Sequence, residues 1–130
     1  MEPVKLGVIG CGVIGPQHIQ SGIELETATV VAVADKVEER AREVAARFGV
    51  PKYYNDAIAL MEDPEVEGVI LGLPTGFRVG LAIEALRRGK HVLVEKPAAL
   101  NLDELLQIAE AAEAAPGQVL AFASARYQFL

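Results

Sequence analysis

The feature that most narrows the possible folds is an alternation running the length of the chain. Short, continuous runs rich in valine and isoleucine are each followed by a longer stretch with helical spacing. The runs "VKLGVIG" (4–10), "ATVVAVAD" (28–35), "VEGVILGLP" (66–74), "KHVLVEKP" (90–97) and "QVLAFASARY" (118–127) predict strands, with "VPKYYND" (50–56) a shorter strand or extended link. Helices are predicted between them. The stretch 13–25 carries Ile14, Ile19, Ile23 and Leu25 close to one stripe, and 37–49 sets Val37, Ala41, Val44, Ala45 and Phe48 on one face, with Gly49 as its stop. Asn55 or Asp56 caps a brief helix at 57–61, the helix 78–89 ends in two arginines and a glycine, and Asn101 caps 102–115. Strands that are apolar throughout are buried on both faces, and the helices between them carry the chain back to start parallel neighbours. The expectation is an α/β fold, a doubly wound parallel sheet, with residues 1–130 forming one Rossmann-like domain. The alternation leaves the strand order open, although right-handed crossovers leave few choices.

Composition excludes several other classes. A chain of 130 residues buries a full core without disulfides or metals, and its single cysteine forms no internal disulfide, which suits a reducing compartment. The net charge of −6 opposes non-specific nucleic-acid binding. No apolar run approaches the ~18 residues of a membrane span, and Met1-Glu2-Pro3 offers no basic segment of a signal peptide. The reading is a cytoplasmic protein with neither a nucleic-acid nor a membrane partner.

In doubly wound sheets, ligands bind beyond the carboxyl ends of the strands. At the end of the first run stands Gly10-Cys11-Gly12-Val13-Ile14-Gly15, a G-x-G-x-x-G between a strand and a helix. Gly10 permits the tight turn, Gly12 lets a pyrophosphate reach the backbone, and Gly15 lets helix and strand pack closely. The phosphates would meet the free N–H groups of the helix start, along the stretch that includes Val13 and Ile14. A generic strand-to-helix turn uses the same glycines. The pattern gains weight from Asp35, which ends the second run 20 residues beyond Gly15. A carboxylate there accepts the hydroxyls of an adenosine ribose and repels a 2′-phosphate, although it also suits the cap of a helix beginning at Val37. The adjacent Lys36 leaves room for NADP, so NAD is the preferred cofactor and NADP the alternative. Cys11 reads as a small filler rather than a reactive thiol. His18 has no companion metal ligands, and Tyr53 and Tyr54 read as packing residues.

Together with this turn, "GKHVLVEKPAALN" (89–101) resembles the Gfo/Idh/MocA family of oxidoreductases, and the similarity runs along essentially the whole chain. The resemblance implies an NAD(P)-dependent dehydrogenase acting on a sugar, polyol or related hydroxy or keto compound. It implies a catalytic role for Lys96, at the nicotinamide end of the cleft, where an ammonium favours the alkoxide form of a reacting hydroxyl. Glu95 and Pro97 would hold the backbone as the strand leaves the sheet, and Leu73, Pro74 and Thr75 would line the dinucleotide groove. Two stretches depart from the family pattern. Arg78 takes the place of a usual histidine and Ser124 that of a usual asparagine, while Arg126 is retained.

Members of the family also carry an α/β domain that binds substrate and makes homo-oligomers. The 130 residues are therefore expected to bind coenzyme and to turn over substrate poorly without such a domain. A non-enzymatic, nucleotide-dependent interaction module is the alternative. An S-adenosylmethionine-dependent methyltransferase shares the glycine loop and the acidic strand end but leaves Glu95-Lys96-Pro97 without a purpose.

Overall fold

The computed structural model describes residues 3–10, 28–73, 75–95, 102–115 and 120–123. Within them, six strands form one sheet: β1 (Val4–Ile9), β2 (Ala28–Ala34), β3 (Lys52–Tyr54), β4 (Gly68–Leu71), β5 (His91–Glu95) and β6 (Leu120–Ala123). Four helices accompany them: α1 (Glu38–Phe48), α2 (Ala57–Met61), α3 (Thr75–Arg87) and α4 (Leu102–Glu113). All pairings are parallel, and the order is β3-β2-β1-β4-β5-β6. The doubly wound sheet expected from the alternation is therefore present. The order, which the alternation left open, reverses between β1 and β4.

The two sheet faces carry different side chains because strand residues alternate sides. Ile9, Ala32, Ala34, Val69, Leu71 and Val92 pack on one face with Leu60 and Met61 of α2, Ala82, Ala85 and Leu86 of α3, and Ala115 just beyond α4. Val8, Val30, Val33 and Ile70 pack on the other with Ala41, Val44 and Ala45 of α1. Most of these residues are less than 9% exposed, as strands covered on both sides must be. The β1–β2 register slips once, between Leu6↔Val30 and Gly7↔Ala32, so Val31 is an extra residue in β2.

Helix boundaries follow local chemistry. Gly49 ends α1 in the left-handed conformation, φ 70°, its N–H donating to the Ala45 carbonyl. Of the two candidate caps of α2, Asp56 takes the role, its Oδ2 accepting from the Ala59 N–H at 3.2 Å. The helix expected at 78–89 starts three residues earlier, at Thr75. Gly76 and Gly80 weaken the local signal, but burial of Val79, Ala82, Ala85 and Leu86 outweighs that propensity.

At the amino ends of the strands, polar groups bind the connections together. The buried Lys90 donates from Nζ to the carbonyls of Val66 (2.6 Å) and Asp63 (3.2 Å). The Asp63 side chain, also buried, accepts at Oδ2 from Lys52 Nζ (2.9 Å) and the Tyr54 hydroxyl (2.8 Å), and at Oδ1 from the Glu65 N–H (2.9 Å). Of the two tyrosines read as packing residues, Tyr54 packs against the core and also anchors Asp63, whereas Tyr53 is 42% exposed because it stands on the edge strand β3.

Candidate functional site

The opposite, carboxyl ends of the strands build a cleft. Backbone pairing continues one residue past the central strands. The Gly10 N–H donates to the Ala34 carbonyl and the Gly72 N–H to the Ile9 carbonyl, both at 2.8 Å, and the Asp35 N–H donates to the Tyr54 carbonyl at 3.1 Å. With Ile9 level with both Ala34 and Leu71, the next residues Asp35, Gly10 and Gly72 stand in a row across the point where the strand order reverses. This is the crevice that open α/β sheets use for ligands.

Gly10 is required at this place for two reasons. Its φ of +99° lies in a region that side chains disfavour. A Cβ there would also stand 2.6 Å from the Gly72 carbonyl oxygen and 2.9 Å from Leu73 Cδ2. The bare backbone leaves a cleft of about 460 Å³, within the size range of small-molecule sites. Ile9, Ala34, Ala57, Leu73 and Leu81 give it apolar walls, while Asp35, Lys36, Arg40 and Asp56 bring charge.

Asp35 dominates the polar wall. Its Oδ1 accepts from the Val37 N–H at 2.9 Å, and its Oδ2 lies 3.7 Å from Arg40 Nη1. Val37 itself occupies the cap position of α1, with no side-chain cap bond, so the Asp35 carboxylate braces the entrance of the helix rather than its first turn. The helix-cap alternative for Asp35 therefore holds only in this weaker form. A carboxylate so braced is held in place at the cleft wall, with 9% of its side chain exposed.

The other residues singled out in the sequence divide by position. Leu73 and Lys36 line the cleft. Thr75 opens α3, and Glu95 closes β5, one residue beyond the Leu71↔Val94 pair and opposite Ala123, at the same carboxyl end. Gly12, Val13, Ile14, Gly15, Pro74 and Lys96 lie outside the described residues, as do Cys11, His18, Pro97, Ser124 and Arg126. Sequence reading missed Arg40 and gave Asp56 only as a helix cap, not as a residue of the cleft. Arg40 had a signal: it is a cation in the first turn of a helix, where the dipole disfavours one.

A family model described as an oxidoreductase family with an NAD-binding Rossmann fold matches residues 4–122. Myo-inositol 2-dehydrogenase of Thermotoga maritima is 36% identical over 107 residues, 82% of this chain and 32% of that protein. D-xylose 1-dehydrogenase (NADP⁺) 2 of Haloferax volcanii is 32% identical over 101 residues, 78% of this chain and 31% of that protein. The crystal structure of a probable dehydrogenase from Thermotoga maritima superposes with a TM-score of 0.86 at 34% identity, covering 92% of this chain and 35% of that one. The chain thus spans about a third of the length of the curated relatives it matches.

Proposed function

Because the chain belongs to the Gfo/Idh/MocA family of oxidoreductases, we propose that its cleft holds a nicotinamide dinucleotide for hydride exchange with a sugar, polyol or related hydroxy or keto compound. The observation that carries this reading is the row across the order reversal, bare backbone at Gly10 beside the braced Asp35 carboxylate. The cleft that Gly10 and Asp35 both line fits a phosphate-bearing ligand over bare backbone, and the carboxylate fits a ribose diol.

In this reading each residue acts on its own part of the ligand. Gly10, Gly12 and Gly15, with the backbone of Val13 and Ile14, receive the pyrophosphate. Asp35 accepts the adenosine ribose hydroxyls, and its charge favours NAD over NADP, while Lys36 softens that preference. Leu73, Pro74 and Thr75 line the groove toward the nicotinamide, and Glu95 fixes the strand end from which Lys96 follows. The bound nicotinamide supplies the hydride chemistry. Lys96 holds the substrate hydroxyl and stabilises the negative charge that grows on its oxygen. Its family relatives include dehydrogenases of inositol and xylose, which supports a polyhydroxylated substrate. We further read the protein as cytoplasmic and, together with a substrate domain, homo-oligomeric. No helix among the described residues is long and apolar enough to cross a membrane.

Titration with NADH, read by nicotinamide fluorescence, tests the reading. Saturable binding is expected for the wild type, and loss of binding for a folded Gly12→Val variant, whose branched side chain would occupy the place of the pyrophosphate. Unchanged affinity in that variant would remove the phosphate-loop assignment.

A further inference from the structure

One wall of the cleft comes from a loop of chain closed on itself. β3 runs into α2 through Asp56 and Ala57, which line the cleft. Asp63, two residues beyond α2, returns to β3, where its Oδ2 accepts from Lys52 Nζ at 2.9 Å and from the Tyr54 hydroxyl at 2.8 Å. Lys52 and Tyr54 are the first and last residues of β3 and share the face turned to the core, because alternate strand residues point the same way. The strand needs such a fastening: it has three residues, pairs with β2 alone and forms an edge of the described sheet. Apolar side chains at 52 and 54 would cover the same face, and an ion pair at a part-buried place is often no more stabilising than a hydrophobic replacement. What a satisfied polar network adds is one fixed geometry.

The beneficiary of that geometry is Asp35. Its N–H donates to the Tyr54 carbonyl at 3.1 Å, so the end of β3 holds the backbone from which the Asp35 carboxylate joins the cleft wall. Resting on the dinucleotide reading above, we propose that Tyr54, fastened by Asp63, is a positioning residue for the coenzyme, holding Asp35 where its carboxylate meets the adenosine ribose. Neither Tyr54 nor Asp63 lines the cleft, so both act through Asp35. Removing the Tyr54 hydroxyl leaves the ring packed on the core but releases its far end from Asp63. The end of β3 then moves more freely against β2, and the Asp35 backbone moves with it. The loss falls on ribose recognition and is felt only while residue 35 carries a carboxylate, so substitutions at 54 and 35 are non-additive.

The test uses the full chain as wild type, Tyr54→Phe, Asp35→Ala and the double variant, each checked for folding by circular dichroism. Tyr53→Phe is the control, since Tyr53 stands on the other face of β3 and is exposed. Amide hydrogen exchange of the free protein, followed by NMR, reads the positioning directly. In Tyr54→Phe the Asp35 amide is expected to exchange roughly fivefold faster or more, while the Gly72 amide, bonded to the Ile9 carbonyl, changes by less than about twofold. NADH titration reads the consequence. Tyr54→Phe is expected to weaken binding roughly three- to tenfold, but by less than about twofold in the Asp35→Ala background, whereas a merely structural role would weaken both backgrounds alike. Equal acceleration at Asp35 and Gly72, equal weakening of NADH in both backgrounds, or an effect of Tyr53→Phe as large as that of Tyr54→Phe overturns the proposal. Folded wild type that binds no NADH overturns the dinucleotide reading and the coenzyme role of Tyr54 with it; the exchange rates, which need no coenzyme, tell that failure from a failure of the fastening.

Discussion

A methyl group at Gly10 would have to enter space already held by the Gly72 carbonyl, on a backbone with φ of +99°. Gly10→Ala is therefore expected to destabilise the chain by about 1–3 kcal/mol, measured by urea unfolding, and to weaken NADH binding by deforming the cleft floor. A variant as stable and as tight-binding as wild type would contradict the close approach seen here. Asp35 was legible as an acid at a strand end and as a brace for the start of a helix near Val37, but its proximity to Arg40 was not. Its bond to the Val37 N–H depends on the local turn, whereas its proximity to Arg40 depends on where α1 begins. A change of one residue in that start would rotate Arg40 by about 100° around the helix and away from the cleft.

The connections at the amino ends of the strands carry their own predictions. Lys90 reads in the sequence as the start of a strand, yet it is buried and binds two carbonyls of the segment leading into β4. Lys90→Met keeps much of the apolar stem and strands both acceptors, so a loss of about 1–3 kcal/mol is expected in chemical denaturation. In the same α2–β4 connection, hydrogen bonds hold Asp63 at about 2, below the usual carboxylate range; that from Lys52 is the largest, followed by the Glu65 N–H and the Tyr54 hydroxyl, while burial opposes them. A carboxyl depressed in the fold stabilises it fully above its unfolded value. That contribution is then lost as the pH falls from about 4 toward 2. Comparing Asp63→Asn with wild type at pH 5 and pH 3 should show the difference in stability shrinking at the lower pH. A constant difference would mean the carboxylate charge contributes nothing. Neither partner set shows in the sequence, since Lys52 and Asp63, or Lys90 and Val66, are far apart along the chain and meet only through the sheet.

A coenzyme that binds only the folded chain must also stabilise it. NADH at one hundred times its dissociation constant is expected to add about 2.7 kcal/mol to the unfolding free energy, visible as a rise in Tm. The 130 residues alone are expected to show this shift without substrate-dependent NADH formation, since they span about a third of the related dehydrogenases. Steady turnover of a polyol by these residues would show that the chemistry needs no partner domain. The alternation of apolar runs and helical stretches, the need for a glycine at position 10 after the first strand and the acid closing the second were readable from the residues, because hydrophobic period, capping and turn chemistry are local properties. The reversal of strand order between β1 and β4, the alignment of Gly10, Asp35 and Gly72, the reach of Arg40 to that row and the burial of Lys90 were decided by the tertiary structure. Parallel strands pair only across long stretches of chain, so their order and register follow from how both sheet faces are covered at once.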